Sequence, residues 1–139
     1  LGLYVPDMPY EEKSELSAAA DKHGVDLISA IAPAADGRIA MIASEAQGFT
    51  LVMTSPGTTC QGQCNDIAQL IGMVRGACDL PCVVDIAGVP EAEVETRIAV
   101  SDGIIIGTAV VGIIAEHGRD SAGPLSAYIG GLRARLDSV

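Results

Sequence analysis

The chain has 139 residues, 49% of them hydrophobic and 3% aromatic with no Trp, so its core must be built from Ala, Val, Ile and Leu, as in a buried parallel sheet flanked by helices. A net charge of −10 argues against nucleic acid, which requires clustered Lys and Arg to displace counterions. No apolar run approaches the roughly 20 residues that span a bilayer, and no basic segment precedes an apolar one at the start, so a cytoplasmic location without membrane contact is expected.

One unit recurs along the chain: a short apolar run, a loop with Gly, Pro or Asp, then a helical pattern. The runs are Leu1–Val5, Val25–Ile31, Phe49–Met53, Cys82–Ile86 and Gly103–Ile106. They are nearly continuous in hydrophobicity rather than alternating, as strands covered on both faces must be.

Helices are predicted between them. Glu11–His23 carries Leu16, Ala19, Ala20 and His23 at helical spacing and stops at Gly24. Arg38–Ala46 places Ile39, Ile42 and Ala43 on one face and ends at Gly48. Asp66–Ala77 has an Ile67, Leu70, Ile71, Val74 stripe, and Glu91–Val100 starts after Pro90, a favoured first-turn residue. Ala109–Glu116 follows Gly107-Thr108, and Leu125–Leu136 follows Gly123-Pro124. Strands alternating with helices, without a hairpin signal, imply a parallel sheet in one α/β domain over residues 1–139.

The start is already a core strand, Leu1-Gly-Leu-Tyr-Val. Its apolar neighbours stay uncovered unless a further segment packs there, so the chain is expected to be the later part of a parallel βα-repeat barrel. An open five-stranded sheet with helices on both faces is the alternative.

In parallel β/α folds the working residues lie on loops at the strand C-terminal ends. The longest is Thr54–Cys64, small, polar and rich in hydroxyls, the make-up of a loop that wraps a ligand. Gly107-Thr108 directly precedes a helix, where free N–H groups receive an anion; an N-cap role explains the same pair. Asp7, just beyond an apolar strand, fits a contact with ligand, water or a neighbouring loop, or a turn or N-cap role.

Cys60-x3-Cys64 and Cys78-x3-Cys82 look like two halves of a metal site but flank the helix predicted over 66–77. Such a helix holds its ends roughly 18 Å apart at about 1.5 Å per residue, so the four cannot share one tetrahedral zinc. Reduced, unlinked cysteines and no metal are expected. His23 and His117 sit at helix ends without a carboxylate at ligand or triad spacing, and are read as structural. Arg133 and Arg135 suit a helix C-terminus.

Val5-Pro-Asp-Met-Pro-Tyr-Glu-Glu12 resembles the VPDLPxEE segment after the fourth strand of the tryptophan synthase alpha chain family. His23-Gly-Val-Asp-Leu-Ile28 and Ala32-Pro33 resemble the next strand and its exit. Gly48-Phe-Thr50 with Gly57-Thr-Thr59 resembles the sixth strand and its GVTG-type loop. Leu80-Pro81, Pro90-Glu91 and Asp102-Gly-Ile-Ile-Ile-Gly-Thr-Ala-Val-Val111 follow in the order of the last two units. The resemblance covers essentially the whole chain.

It implies a parallel (β/α)8 TIM barrel of which this chain holds the fourth to eighth βα units. The implied activity is cleavage of indole-3-glycerol phosphate to indole and glyceraldehyde 3-phosphate, without metal or organic cofactor. The implied partner is a pyridoxal-phosphate beta chain that receives the indole. This retro-aldol reaction needs an acid and a base, which the family carries in its second βα unit, so no catalytic residue is assigned here and the chain alone is expected to be inactive. By matched position, Tyr4, Pro6, Ala30 and Leu51 line the indole pocket. Thr59, Cys60, Gly88, Gly107 and Thr108 face the phosphate, and Asp7 is a loop or partner contact.

Three departures stand out. Cys60 replaces a loop glycine, Leu51 replaces a usual Tyr, and Asp85-Ile-Ala-Gly-Val89 replaces the GFGIS turn, one residue shorter and with an added carboxylate. The last removes a phosphate glycine and an aromatic wall and sets a carboxylate where it would repel phosphate, and together they fit a diverged paralogue. A catalytically silent alpha-like subunit that regulates a beta chain is the first alternative. Another phosphate-binding barrel, epimerase-like, is the remaining alternative.

Overall fold

The computed structural model describes residues 1–6, 8–53 and 67–138. Its elements run β1 (Gly2–Leu3), α1 (Ser14–Lys22), β2 (Asp26–Leu27), β3 (Ser29–Ile31), α2 (Asp36–Ser44), β4 (Thr50–Val52), α3 (Ile67–Arg75), β5 (Cys82–Asp85), α4 (Glu91–Val100), β6 (Gly103–Ile105), α5 (Thr108–His117) and α6 (Ala122–Leu136). Single 3-10 turns, Tyr10–Glu12 and Gly118–Asp120, precede α1 and α6. Among the described residues every strand pairing is parallel: β1 with β2 in a short sheet, and β3-β4-β5-β6 in a longer one.

The run expected as one strand over 25–31 is split at Ile28. Its first half pairs with β1 and its second half with β4, and the Ile28 N–H still donates to the Leu3 carbonyl at 2.9 Å. The run changes partner as its neighbours are staggered, as register shear in a closing parallel sheet requires. The ladder therefore breaks while the hydrogen bonding continues.

Alternation along each strand divides the sheet into two faces. Ile31, Val52, Cys82 and Val84 pack with Ile39, Ile42 and Ala43 of α2, Leu70, Ile71 and Val74 of α3, and Val94 and Ile98 of α4. At about 1.5–3 kcal/mol per buried aliphatic side chain, this cluster dominates the stability of the fold. On the other face Ala30, Leu51, Val83 and Gly103 stand in one register row across β3 to β6.

The stripes expected on α2 and α3 are buried, apart from half-buried Ile67 at the start of α3. The stripe expected on α1 is not: Ala20 alone is buried, and Leu16 is exposed. That helix packs on the two-residue β2, where Leu27 is the one side chain in the core, so little apolar surface is available to cover it. Helix α6 begins three residues earlier than predicted, at Ala122. Pro124 lies in its first turn, where a missing N–H costs nothing.

Among the described residues no helix is long and apolar enough to cross a membrane.

Candidate functional site

Strands β5 and β6 end side by side, since Val84 pairs with Ile104 and Asp85 with Ile105. The turn after β5 is closed twice. The Ala87 N–H donates to Asp85 Oδ1 at 2.8 Å, and the Val89 N–H donates to the Ile86 carbonyl at 3.2 Å. Between them Gly88 has φ +69°, a left-handed conformation that a Cβ would strain. Its own N–H has no hydrogen-bond partner among the described residues.

After β6 the chain passes through Ile106 and Gly107 into α5. The first intrahelical bond there is from the Val111 N–H to the Gly107 carbonyl, so the N–H groups of the preceding turn are left open, as at any helix start. Both loops line one cleft of about 270 Å³ with Gly88, Val89, Gly107, Thr108 and Ala109 on its wall. A glycine turn and a helix N-terminus, each with uncommitted N–H groups, line one cleft, a combination that suits an anion.

Three of the five expected phosphate residues, Gly88, Gly107 and Thr108, are therefore brought together. Thr59 and Cys60, and the whole Thr54–Cys64 loop, lie outside the described residues, as does Asp7.

Of the four expected indole-pocket residues, Tyr4, Pro6 and Ala30 line a second, smaller cavity of about 60 Å³ between the β1 exit and β3. Leu51 is not on its wall. It is buried next to Ala30 in the β3–β4 register, where the tight β3-β4-β5 row encloses it. The Tyr4 hydroxyl donates to Met53 Sδ at 3.3 Å, which joins the β1 exit to the end of β4. Tyr10, also on this cavity, has its phenol held above the ordinary value, first by the Glu45 carboxylate, then by burial and by Glu11.

Two residues near these sites carried no role in the sequence reading. Met53 has no sequence signal beyond its place at a strand end. Arg97 had one: it sits between Val94 and Ile98 on the face of α4 that turns to the core, and it is buried.

Cys78 and Cys82 are unlinked. Cys82 is fully buried, and the Thr50 hydroxyl donates to its Sγ at 3.4 Å. His23 caps the end of α1 and His117 ends α5. Arg133 pairs with Asp137, and Arg135 with Glu91 and Glu95.

Comparison with known proteins places the chain in a family. The family described as tryptophan synthase alpha chain matches residues 1–129. The tryptophan synthase alpha chain of Lactiplantibacillus plantarum is 37% identical over 139 residues, covering 98% of this chain and 52% of that protein. That of Synechococcus elongatus is 37% identical over 129 residues, covering 89% and 48%.

Among solved structures, the open form of M. tuberculosis tryptophan synthase superposes with TM-score 0.78 at 27% identity, over 98% of this chain and 50% of that one. A protein from Aquifex aeolicus VF5 gives TM-score 0.78 at 26% identity, over 97% and 51%. The chain spans about half the length of the curated relatives it matches. Its parallel strands and helices correspond to about half of a TIM barrel, and by sequence and fold together it belongs to the tryptophan synthase alpha chain family.

Proposed function

We propose that this chain supplies the fourth to eighth βα units of a lyase that cleaves indole-3-glycerol phosphate to indole and glyceraldehyde 3-phosphate. The observation that carries the proposal is the meeting of Gly88, Gly107 and Thr108 on one cleft at the start of α5. There the phosphate is held by main-chain N–H groups and the helix dipole, with Thr59 and Cys60 added from their loop. The indole ring lies toward Tyr4, Pro6 and Ala30, on the other side of the strand ends, with Leu51 buried beside Ala30.

In this reading the chain's own residues bind and orient. Holding the phosphate fixes the glycerol chain over the strand ends, so that little orientational freedom is left to lose at the reacting carbon. The acid and base of the retro-aldol step are assigned to no residue of this chain. A beta chain is the proposed partner, with Asp7 as a contact, and a cytoplasmic location follows from the same reading.

A second reading, a silent subunit that regulates a beta chain, is favoured by two observations. Asp85 adds a carboxylate at the phosphate turn, and Leu51 brings no hydroxyl to the row it occupies.

Titration of the chain with indole-3-glycerol phosphate and, separately, a pentulose phosphate tests the site. Amide shifts at Gly88, Gly107 and Thr108 with preference for the indole ester are expected. Preference for the pentulose ester would replace the lyase by an epimerase-like enzyme. Indole release by the full reading frame, with and without beta chain, then separates the remaining two: none in either case favours the silent subunit.

A further inference from the structure

Arg97 is only 6% exposed, among the core residues Val94 and Ile98 of α4. A guanidinium is placed in such surroundings at high cost unless it is partnered. Its Nη1 donates to the main-chain carbonyl of Asp85 at 3.1 Å, and among the described residues no carboxylate lies within ion-pair distance of it. Arg38, Arg75, Arg133 and Arg135, by contrast, all reach carboxylates.

The carbonyl that Arg97 holds belongs to the peptide joining Asp85 to Ile86. The N–H of that peptide donates to the Ile105 carbonyl at 3.2 Å, so one peptide links Arg97 to the strand that leads into Gly107 and Thr108. The same residue, Asp85, closes the turn around Gly88 through its side chain. Arg97 therefore braces the root of both loops of the anion cleft without lining the cleft itself.

Charge points the same way. Glu91 lines the cleft but is paired with Arg135 at 2.8 Å. Asp85, at the root of the turn, has no cation within ion-pair distance of its carboxylate among the described residues; Arg135 is taken up by Glu91 and Glu95, and the Arg97 guanidinium is bonded to the main chain of Asp85 itself. Solvent screens a buried charge little, so its field extends into the adjoining cleft.

We infer that Arg97 is a positioning residue that acts as counter-charge to Asp85, making this carboxylate-bearing turn able to receive a phosphate monoester. The inference rests on the phosphate reading given above. It explains how an acidic residue is tolerated where an anion binds: the turn as a whole, Asp85 with Arg97, is neutral.

The test measures inorganic phosphate and glycerol phosphate binding to the 139-residue chain and its variants, with melting curves to follow folding. R97Q keeps a donor for the Asp85 carbonyl but loses the charge, and its phosphate affinity is expected to fall about tenfold, while R97K stays within about threefold. D85N retains an acceptor for the Ala87 N–H and is expected to bind about threefold tighter, and D85N/R97Q to recover most of the loss, the coupling expected of two charges that offset each other.

Wild-type affinity in R97Q overturns the inference and leaves the phosphate reading standing. A loss shared equally by R97K and not relieved by D85N overturns it too, since it marks packing rather than charge. If R97Q does not fold, D85N alone decides: unchanged affinity overturns the inference. A wild-type chain that binds neither ligand overturns the phosphate reading and the inference with it.

Discussion

Asp102 and Cys82 bind each other twice: the Cys82 N–H donates to Asp102 Oδ2 at 2.8 Å, and the Asp102 N–H donates to the Cys82 carbonyl at 2.8 Å. The same carboxylate receives Arg75 Nη2 at 3.1 Å from the end of α3. This knot lies at the N-terminal ends of β5 and β6, the face of a parallel barrel where fixed residues serve stability rather than chemistry. It gives a structural reason for the Asp in the Asp102-Gly-Ile-Ile-Ile-Gly-Thr segment.

Replacing Asp102 by Ala is expected to lower stability by about 1–2 kcal/mol, by leaving the Cys82 N–H without its acceptor, with phosphate binding unchanged. The carboxyl is held below its ordinary value of 3.8, first by the Cys82 N–H and then, against the opposing effect of burial, by Arg75. A depressed pKa in the folded state means that the contribution is present above the unfolded value and is lost as pH falls through the folded one. Urea melts of the wild type and D102N from pH 6 downward check this: the wild type's advantage should shrink only below its unfolded carboxyl pKa.

Gly88 offers a cleaner probe of the cleft. An added Cβ would meet nothing within 4 Å, but φ is +69°, so Gly88→Ala changes backbone strain and not packing. A cost of about 1 kcal/mol in stability is expected, together with weaker phosphate binding as the turn relaxes. Chemical melts and phosphate titration on the same variant measure both. Unchanged binding would remove Gly88 from the site.

At Thr108 stability and binding should separate. A carboxylate in the first turn of α5 favours the helix dipole by about 0.3–1 kcal/mol, yet it occupies the wall of the anion cleft. Thr108→Glu is therefore expected to melt no lower than the wild type while losing phosphate affinity at least tenfold. Parallel loss of both would place Thr108 in a structural cap instead.

The thiols differ in burial, and their reactivity should follow. Cys78 is half-buried, whereas Cys82 is fully buried and accepts the Thr50 hydroxyl. Brief alkylation of the folded chain followed by peptide mass analysis should label Cys78 well before Cys82. Equal labelling would mean that the β4–β5 ladder opens on the timescale of the reaction.

Much of this was legible in the residues themselves. The near-continuous apolar runs of Phe49–Met53 and Cys82–Ile86 announced strands covered on both faces, and parallel pairing followed from the helices between them. The stripes of α2 and α3 and the span of α4, Glu91–Val100, could be read from spacing alone. Gly88, Gly107 and Thr108, named together in the sequence reading, line one cleft.

Other features depended on what each residue meets in space. Local pattern marked Leu16 as a core residue, but the two-stranded sheet beneath α1 is too small to bury it. The same local view could not show that the run over 25–31 changes partners at Ile28, because register shear is a property of the sheet and not of a strand. Nor could it show the use of Arg97, whose acceptor is a main-chain carbonyl twelve residues away. Periodicity in the sequence dictates which faces seek cover, since apolar area is a property of each side chain. Which polar group ends beside which carbonyl is decided only when the strands have chosen their neighbours.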